Sequence, residues 1–201
     1  MKYLVVGCGG LGCYIVENLM RMGAEEITVC DGDIFSESNM NRQLYCTEAS
    51  IGRPKVEVAA ERARALSYSG CLISLCENLT RENAEDFLDG IDIAFDALDN
   101  TESRFILEDA CEKLNIPLIH GAVGEYNYQV AVVMPESKLL HRLYDGKAEK
   151  NSLPTYAFTV QSCAAAQTAE ALKLEKGEDS ELRRGLLIAD LKTNSYDIVN
   201  L

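Results

Sequence analysis

Four glycines, Gly7, Gly9, Gly10 and Gly12, stand between the apolar run Leu4–Val6 and an apolar pattern at helical spacing made by Ile15, Val16, Leu19 and Met20. Glycines in that position let the backbone approach a phosphate, and the unpaired N–H groups at the start of a helix favour an anion. Asp31 follows 19 residues after Gly12, at the end of a second apolar run, Ile27–Val29. A carboxylate so placed accepts from ribose hydroxyls. Next comes Ser38-Asn39-Met40-Asn41-Arg42-Gln43, which gathers amides and a guanidinium, and then Gly52-Arg53-Pro54-Lys55. A dinucleotide needs no such cluster, whereas the charge of a triphosphate calls for Arg and Lys. Asp99 ends a further apolar run, Ile91–Ala97, and a carboxylate beside a triphosphate holds Mg²⁺ directly or through water. Each residue also has a plainer reading. The glycine turn is then only structural, Arg42 and Lys55 are solvated surface, and Asp99 or Asn100 is the N-cap of the helix Glu102–Leu114.

The elements that must hold these residues are legible from periodicity. Strands are expected at Leu4–Val6, Ile27–Val29, Leu72–Leu75, Ile91–Ala97 and Pro117–His120. Helices fall between them: one ending at Gly23, one over residues 54–66, a short one at Glu82–Leu88 with Thr80 as N-cap, and Glu102–Leu114. This alternation predicts parallel pairing. Gln129–Met134, Leu186–Leu191 and Tyr196–Val199 are expected to be antiparallel, the last two as a hairpin. Gly124–Asn127 reads as a flexible link, residues 135–156 as a loop across the site, and residues 158–173 as an Ala-rich helix. The predicted fold is α/β. It is a Rossmann-like mixed sheet with a parallel N-terminal half, antiparallel C-terminal strands and helices on both faces, in a single domain over residues 1–201. Asp31 and Asp99 both end parallel strands, so they share the rim where open α/β sheets gather ligands.

Composition narrows the partners. The 201 residues are 47% hydrophobic, which suits a globular core, and carry a net charge of −13, which argues against non-specific nucleic-acid binding. Met1-Lys2 leads straight into the first strand and no apolar run suits a bilayer, so a cytoplasmic protein with no membrane partner is expected. The eight cysteines, at 8, 13, 30, 46, 71, 76, 111 and 163, include no CxxC pair, so no structural zinc is expected and mostly free, buried thiols are. Cys46, near the predicted site, reads as a packed loop cysteine. His120 reads as a core or rim residue, His141 as a loop residue, and Arg104 by default as half of a surface ion pair, with a place near the nucleotide as the weaker reading.

GCGGLG, DGD, SNMNRQ, IGRPK and DALDN, in this order and spacing, resemble the ThiF/MoeB/HesA family of adenylyltransferases, bacterial relatives of the ubiquitin-activating enzymes. The resemblance implies ATP with Mg²⁺ and adenylation of the C-terminal glycine of a small ubiquitin-fold sulfur carrier ending in Gly-Gly, in thiamine or molybdopterin biosynthesis. A sulfur donor would then act on the product, and a homodimer is usual. Carried onto this chain, Gly7, Gly9, Gly10 and Gly12 form the phosphate turn and Asp31 holds the ribose. Asn39, Arg42 and Lys55 bind phosphates, Asp99 binds magnesium, and Asn100 stands beside it. Arg42, Lys55 and Asp99 carry the catalysis. The chain departs from many members in lacking their arginine-bearing helix before the first strand and two CxxC pairs, and from some in lacking a cysteine within 135–156. Two rival readings share the glycine turn: an NAD-binding oxidoreductase, and a nucleotide-binding scaffold without turnover.

Overall fold

A computed structural model describes residues 1–146 and 154–201 of the chain. Its five parallel strands are β1 (Lys2–Val6), β2 (Glu26–Cys30), β3 (Cys71–Leu75), β4 (Ile93–Asp96) and β5 (Leu118–Gly124). The antiparallel half adds β6 (Asn127–Val133), β7 (Gly185–Asp190) and β8 (Ser195–Asn200). The eight form one sheet in the order β3-β2-β1-β4-β5-β6-β7-β8. Val5 pairs with Val29 on one side and Phe95 on the other, so the chain reverses its direction of travel across the sheet at β1. A crevice opens at the carboxyl ends of strands at such a switch point.

Alternation along each strand feeds two cores. Tyr3, Val5, Ile27, Val29, Phe95 and Ile119 lie beneath α1 (Gly10–Met22), α2 (Lys55–Ala65) and, from the far end of the chain, the helix Ala157–Glu175. Leu4, Val6, Ala94 and Leu118 face α3 (Ala84–Leu88), α4 (Thr101–Leu114) and α5 (Leu139–Tyr144). The helix Ala157–Glu175 is α6. In α1, Ile15, Val16 and Leu19 are wholly buried, each contributing on the order of 2 kcal/mol relative to an exposed side chain. Gly23 ends the helix in the left-handed conformation.

Four expectations need correction. β5 does not stop at His120: it continues through Gly121 and Ala122, because β6 pairs with it from Leu118 to Gly124. The expected flexible link is therefore a tight hairpin turn, with Gly124 opposite Asn127 and the Thr159 hydroxyl donating to Glu125 O. Within the expected loop 135–156, Leu139–Tyr144 is helical. Glu108 of α4 forms it by accepting from Leu140 N at 2.7 Å and His141 N at 3.0 Å. Residues 147–153 of that loop lie outside the described residues. α3 begins at Ala84 rather than Glu82, with Asn83 as its N-cap, while the Thr80 hydroxyl accepts from Asn83 N.

Candidate functional site

A cavity of about 730 Å³ opens at the switch point. Its wall includes Gly7, Gly9, Gly10, Asp31, Arg42, Lys55, Asp99 and Asn100, eight of the ten residues singled out from the sequence. The glycine turn forms because β1 must pass directly into α1. Gly7 lies at φ +97°, and a Cβ on Gly12 would fall 1.8 Å from Gly7 O. Gly12 is thus behind the wall, where it lets α1 close on β1. No side chain caps α1 at Gly9, so the N–H groups of its first turn are available to an anion.

Asp31 is fixed by the backbone it faces. Its Oδ2 accepts from Cys8 N at 2.7 Å and its Oδ1 from Asp33 N at 2.8 Å. Lys55 reaches Asp33 Oδ2 at 2.8 Å and Asp31 Oδ2 at 3.4 Å, with its side chain 8% exposed. Burial pulls the Lys55 ammonium down, but hydrogen bonds and charges from Asp33 and Asp31 outweigh it, and its pKa is raised. Lys55 is therefore a charged, buried group and not solvated surface. Arg42 Nη1 donates to Ser38 O and Asn41 Oδ1, both at 2.9 Å. Asn39 stands outside the wall: its Oδ1 accepts from Ser36 N at 3.0 Å, closing the turn that brings Arg42 round to the cavity.

At the β4 end, Asn100 Oδ1 accepts from Ser103 N at 2.9 Å and caps α4, which leaves the exposed Asp99 carboxylate out of the cap. Among the described residues no group of three or more His, Cys, Asp or Glu could hold a metal. One carboxylate nevertheless suits Mg²⁺, which takes one or two and fills its remaining positions with phosphate oxygens and water.

Two further residues line the wall, one of them, Arg104, expected there only as the weaker of two readings. Arg104 is not in a surface pair. It is 8% exposed, lines the cavity, and donates through Nε to the buried Asp96 at 3.1 Å. Gln43 is 7% exposed, lines the same cavity, and leaves its Oε1 buried without a partner among the described residues. An unpaired buried acceptor costs about 1–3 kcal/mol, which a bound donor would recover. Gln43 belongs to the SNMNRQ stretch, and that was the one available signal.

The histidines and cysteines stand as read, apart from His141. His120 is fully buried with Nδ1 2.6 Å from Asp96 Oδ2. Burial lowers its pKa against the opposing pull of Asp96. Asp96 itself is held below the usual carboxylate range: burial pushes it up, but the Arg104 charge and the His120 hydrogen bond prevail. His141 lies on α5, stacks on Phe105 and bonds Glu108 at 2.6 Å. Cys46 is 7% exposed with its thiol pKa raised by burial, as a packed loop cysteine should be. Six cysteines are buried, while Cys71 and Cys76 are exposed. No helix among the described residues is long and apolar enough to cross a membrane.

Comparison with known proteins agrees with this geometry. The model of the ThiF family matches residues 1–201. The SAMP-activating enzyme E1 of Haloferax volcanii is 29% identical over 204 residues, covering 98% of this chain and 76% of the relative. The sulfur carrier protein ThiS adenylyltransferase of Bacillus subtilis is 33% identical over 187 residues, covering 90% of this chain but only 56% of the relative. Among solved structures, E. coli MccB crystallised with MccA-N7isoASN superposes with a TM-score of 0.84 at 19% identity, over 99% of this chain and 64% of that one. That last likeness is one of fold.

Proposed function

The chain belongs to the ThiF family, and from that premise we propose that it is a single adenylation domain acting on a small ubiquitin-fold sulfur carrier that ends in Gly-Gly. The relatives named as a ThiS adenylyltransferase and a SAMP-activating enzyme support this substrate class. The observation that carries the reading is that one cavity brings a glycine turn, Asp31, the cations Arg42 and Lys55, and Asp99 onto one wall.

In the reaction, a carrier carboxylate oxygen attacks the α-phosphorus of ATP. An acyl–O–P bond forms, the bond from that phosphorus to the bridging oxygen breaks, and the electron pair leaves with pyrophosphate. Such chemistry asks for positioning and charge neutralisation rather than a protein nucleophile. Asp31 accepts from the ribose hydroxyls, and the N–H groups opening α1 hold phosphate. Arg42 and Lys55 stabilise the departing pyrophosphate. Asn39 acts on the phosphates through the turn it closes. Asp99 would hold Mg²⁺, with Asn100 beside it; when bound, the ion neutralises phosphate charge. The acyl-adenylate then passes to a sulfur donor, in thiamine or molybdopterin biosynthesis or a related sulfur transfer. The working form would be a cytoplasmic homodimer.

The test is carrier-dependent exchange of labelled pyrophosphate into ATP, using a panel of small ubiquitin-fold proteins ending in Gly-Gly, together with thermal shift by ATP plus Mg²⁺ against NAD. Exchange with one of them is expected, with stabilisation by ATP and not NAD. ATP binding without exchange would leave a nucleotide-binding scaffold, and stabilisation by NAD alone an oxidoreductase.

A further inference from the structure

A buried polar network underlies the cavity wall on the β4–β5 side. Asp96, at the end of β4, is fully buried; its Oδ2 accepts from Arg104 Nε and His120 Nδ1, and its Oδ1 accepts from Leu98 N at 2.9 Å. The ionised carboxylate fixes the tautomer: the imidazole proton sits on Nδ1, so Nε2 is an acceptor. Gln129 Nε2 and the Tyr144 hydroxyl each lie 3.1 Å from His120 Nε2, and Gln129 Nε2 also donates to the Tyr144 hydroxyl at 2.5 Å. The proton of Tyr144 is therefore directed at His120. That fixes the Tyr144 ring, whose centroid lies 5.1 Å from the Arg104 guanidinium carbon. Arg104 Nη2 donates to Leu98 O at 2.6 Å, while Nη1 has no hydrogen bond among the described residues. Arg104 and Tyr144 both line the cavity.

Stability alone does not explain such a network, because a buried ion pair is often no more stabilising than an apolar replacement. Its effect is to hold one guanidinium in one plane, with one edge unused. Strand order says what that edge meets. Asp31 follows β2, the glycine turn follows β1, and Arg104 enters α4 after β4. Neighbouring strands lie about 4.8 Å apart, so the phosphate turn falls between the ribose carboxylate and the arginine. A group bound on the β4–β5 side would lie across the phosphate turn from the ribose.

We propose that Arg104 receives the acceptor's carboxylate through Nη1, and that His120 and Tyr144 are positioning residues that hold it for that contact. This rests on the adenylation reading above.

The experiment is calorimetric titration of the full chain, saturated with AMPCPP and Mg²⁺, using a short synthetic peptide ending in Gly-Gly as the free carboxylate and as the carboxamide. Wild type is expected to prefer the carboxylate by about tenfold, the worth of one charge-assisted hydrogen bond. Arg104→Lys should abolish that preference while the AMPCPP Kd stays within about twofold. Tyr144→Phe, which keeps the ring but loses the hydroxyl, and His120→Asn should each reduce the preference without moving the AMPCPP Kd. Joint loss of nucleotide and peptide affinity in Tyr144→Phe and His120→Asn would mean a merely structural role and overturn their assignment as positioning residues. Equal binding of the two peptides by wild type overturns the proposal without any variant. Parallel loss of AMPCPP and peptide affinity in Arg104→Lys overturns it too, by assigning Arg104 to the phosphates. Failure of wild type to bind AMPCPP overturns the adenylation reading itself, and this inference with it.

Discussion

At the scale of residues, Lys55 and Arg42 differ in what they do before any ligand arrives. Lys55 is an internal counter-ion, 6% exposed and tied to Asp31 and Asp33. Lys55→Met should lower stability without ligand by on the order of 2 kcal/mol in urea unfolding, because Asp31 would keep its burial and lose its cation. Arg42 is held only by Ser38 O and Asn41 Oδ1. Arg42→Ala should leave the urea midpoint nearly unmoved yet cut carrier-dependent exchange by on the order of 10²-fold or more, and unchanged exchange would remove Arg42 from the mechanism. His120 carries a pH dependence. Its pKa in the fold lies below its ordinary 6.5, so between those values the unfolded chain binds the extra proton. The stability it contributes is complete above pH 6.5 and is lost as pH falls toward the folded value. Asp96, lowered from 3.8, acts in the same direction further down. Urea midpoints followed against pH should show a decline beginning just below pH 6.5, and His120→Asn should flatten that part while sparing the decline below pH 3.8. Asp31 was legible because it ends a parallel strand, whereas Arg42 and Lys55, each alone readable as solvated surface, were placed by the linked motifs. Arg104 was legible only as the weaker of two readings, since its partner Asp96 is eight residues back at a buried strand end, and helical spacing does not say which face of α4 turns inward.

At the scale of elements, the site depends on how closely α1 sits on β1. A Cβ at Gly12 would meet a backbone oxygen, which cannot rotate aside as a flexible side chain can. Relief requires α1 to lift, and with it the buried Ile15, Val16 and Leu19. Gly12→Ala should therefore cost about 3 kcal/mol in a denaturant titration, and should weaken ATP binding because the first-turn N–H groups move with the helix. Elements with a clean period were readable: β1 to β4, α1, α2, α4, α6 and the terminal hairpin. Two were not, and both depend on distant partners. β5 continues through Gly121 because β6 pairs along its whole length and Gln167 of α6 fills the space a side chain there would need. In the sequence, that glycine looks like a terminator. α5 is six residues long, too short to show a period, and is assembled by Glu108 from another helix.

At the scale of the whole molecule, charge decides what must be supplied locally. The chain carries −13, and the cavity wall itself sets Asp31, Asp33, Glu77 and Asp99 against Arg42, Lys55 and Arg104. Neither the overall field nor the cavity attracts a bare triphosphate, so stabilisation by ATP should vanish when EDTA removes Mg²⁺, as thermal melts would report. The same field opposes an acidic carrier at long range, and docking must then rest on apolar contact. Salt separates the two effects. Raising ionic strength from about 0.01 M to 0.15 M shortens the Debye length from roughly 30 Å to 8 Å, which removes the repulsion but not an apolar contact. Single-turnover adenylation of an acidic Gly-Gly carrier at sub-saturating concentration should therefore accelerate over that range. A rate that falls instead would mean that a local basic surface, and not the molecule's overall charge, governs the encounter.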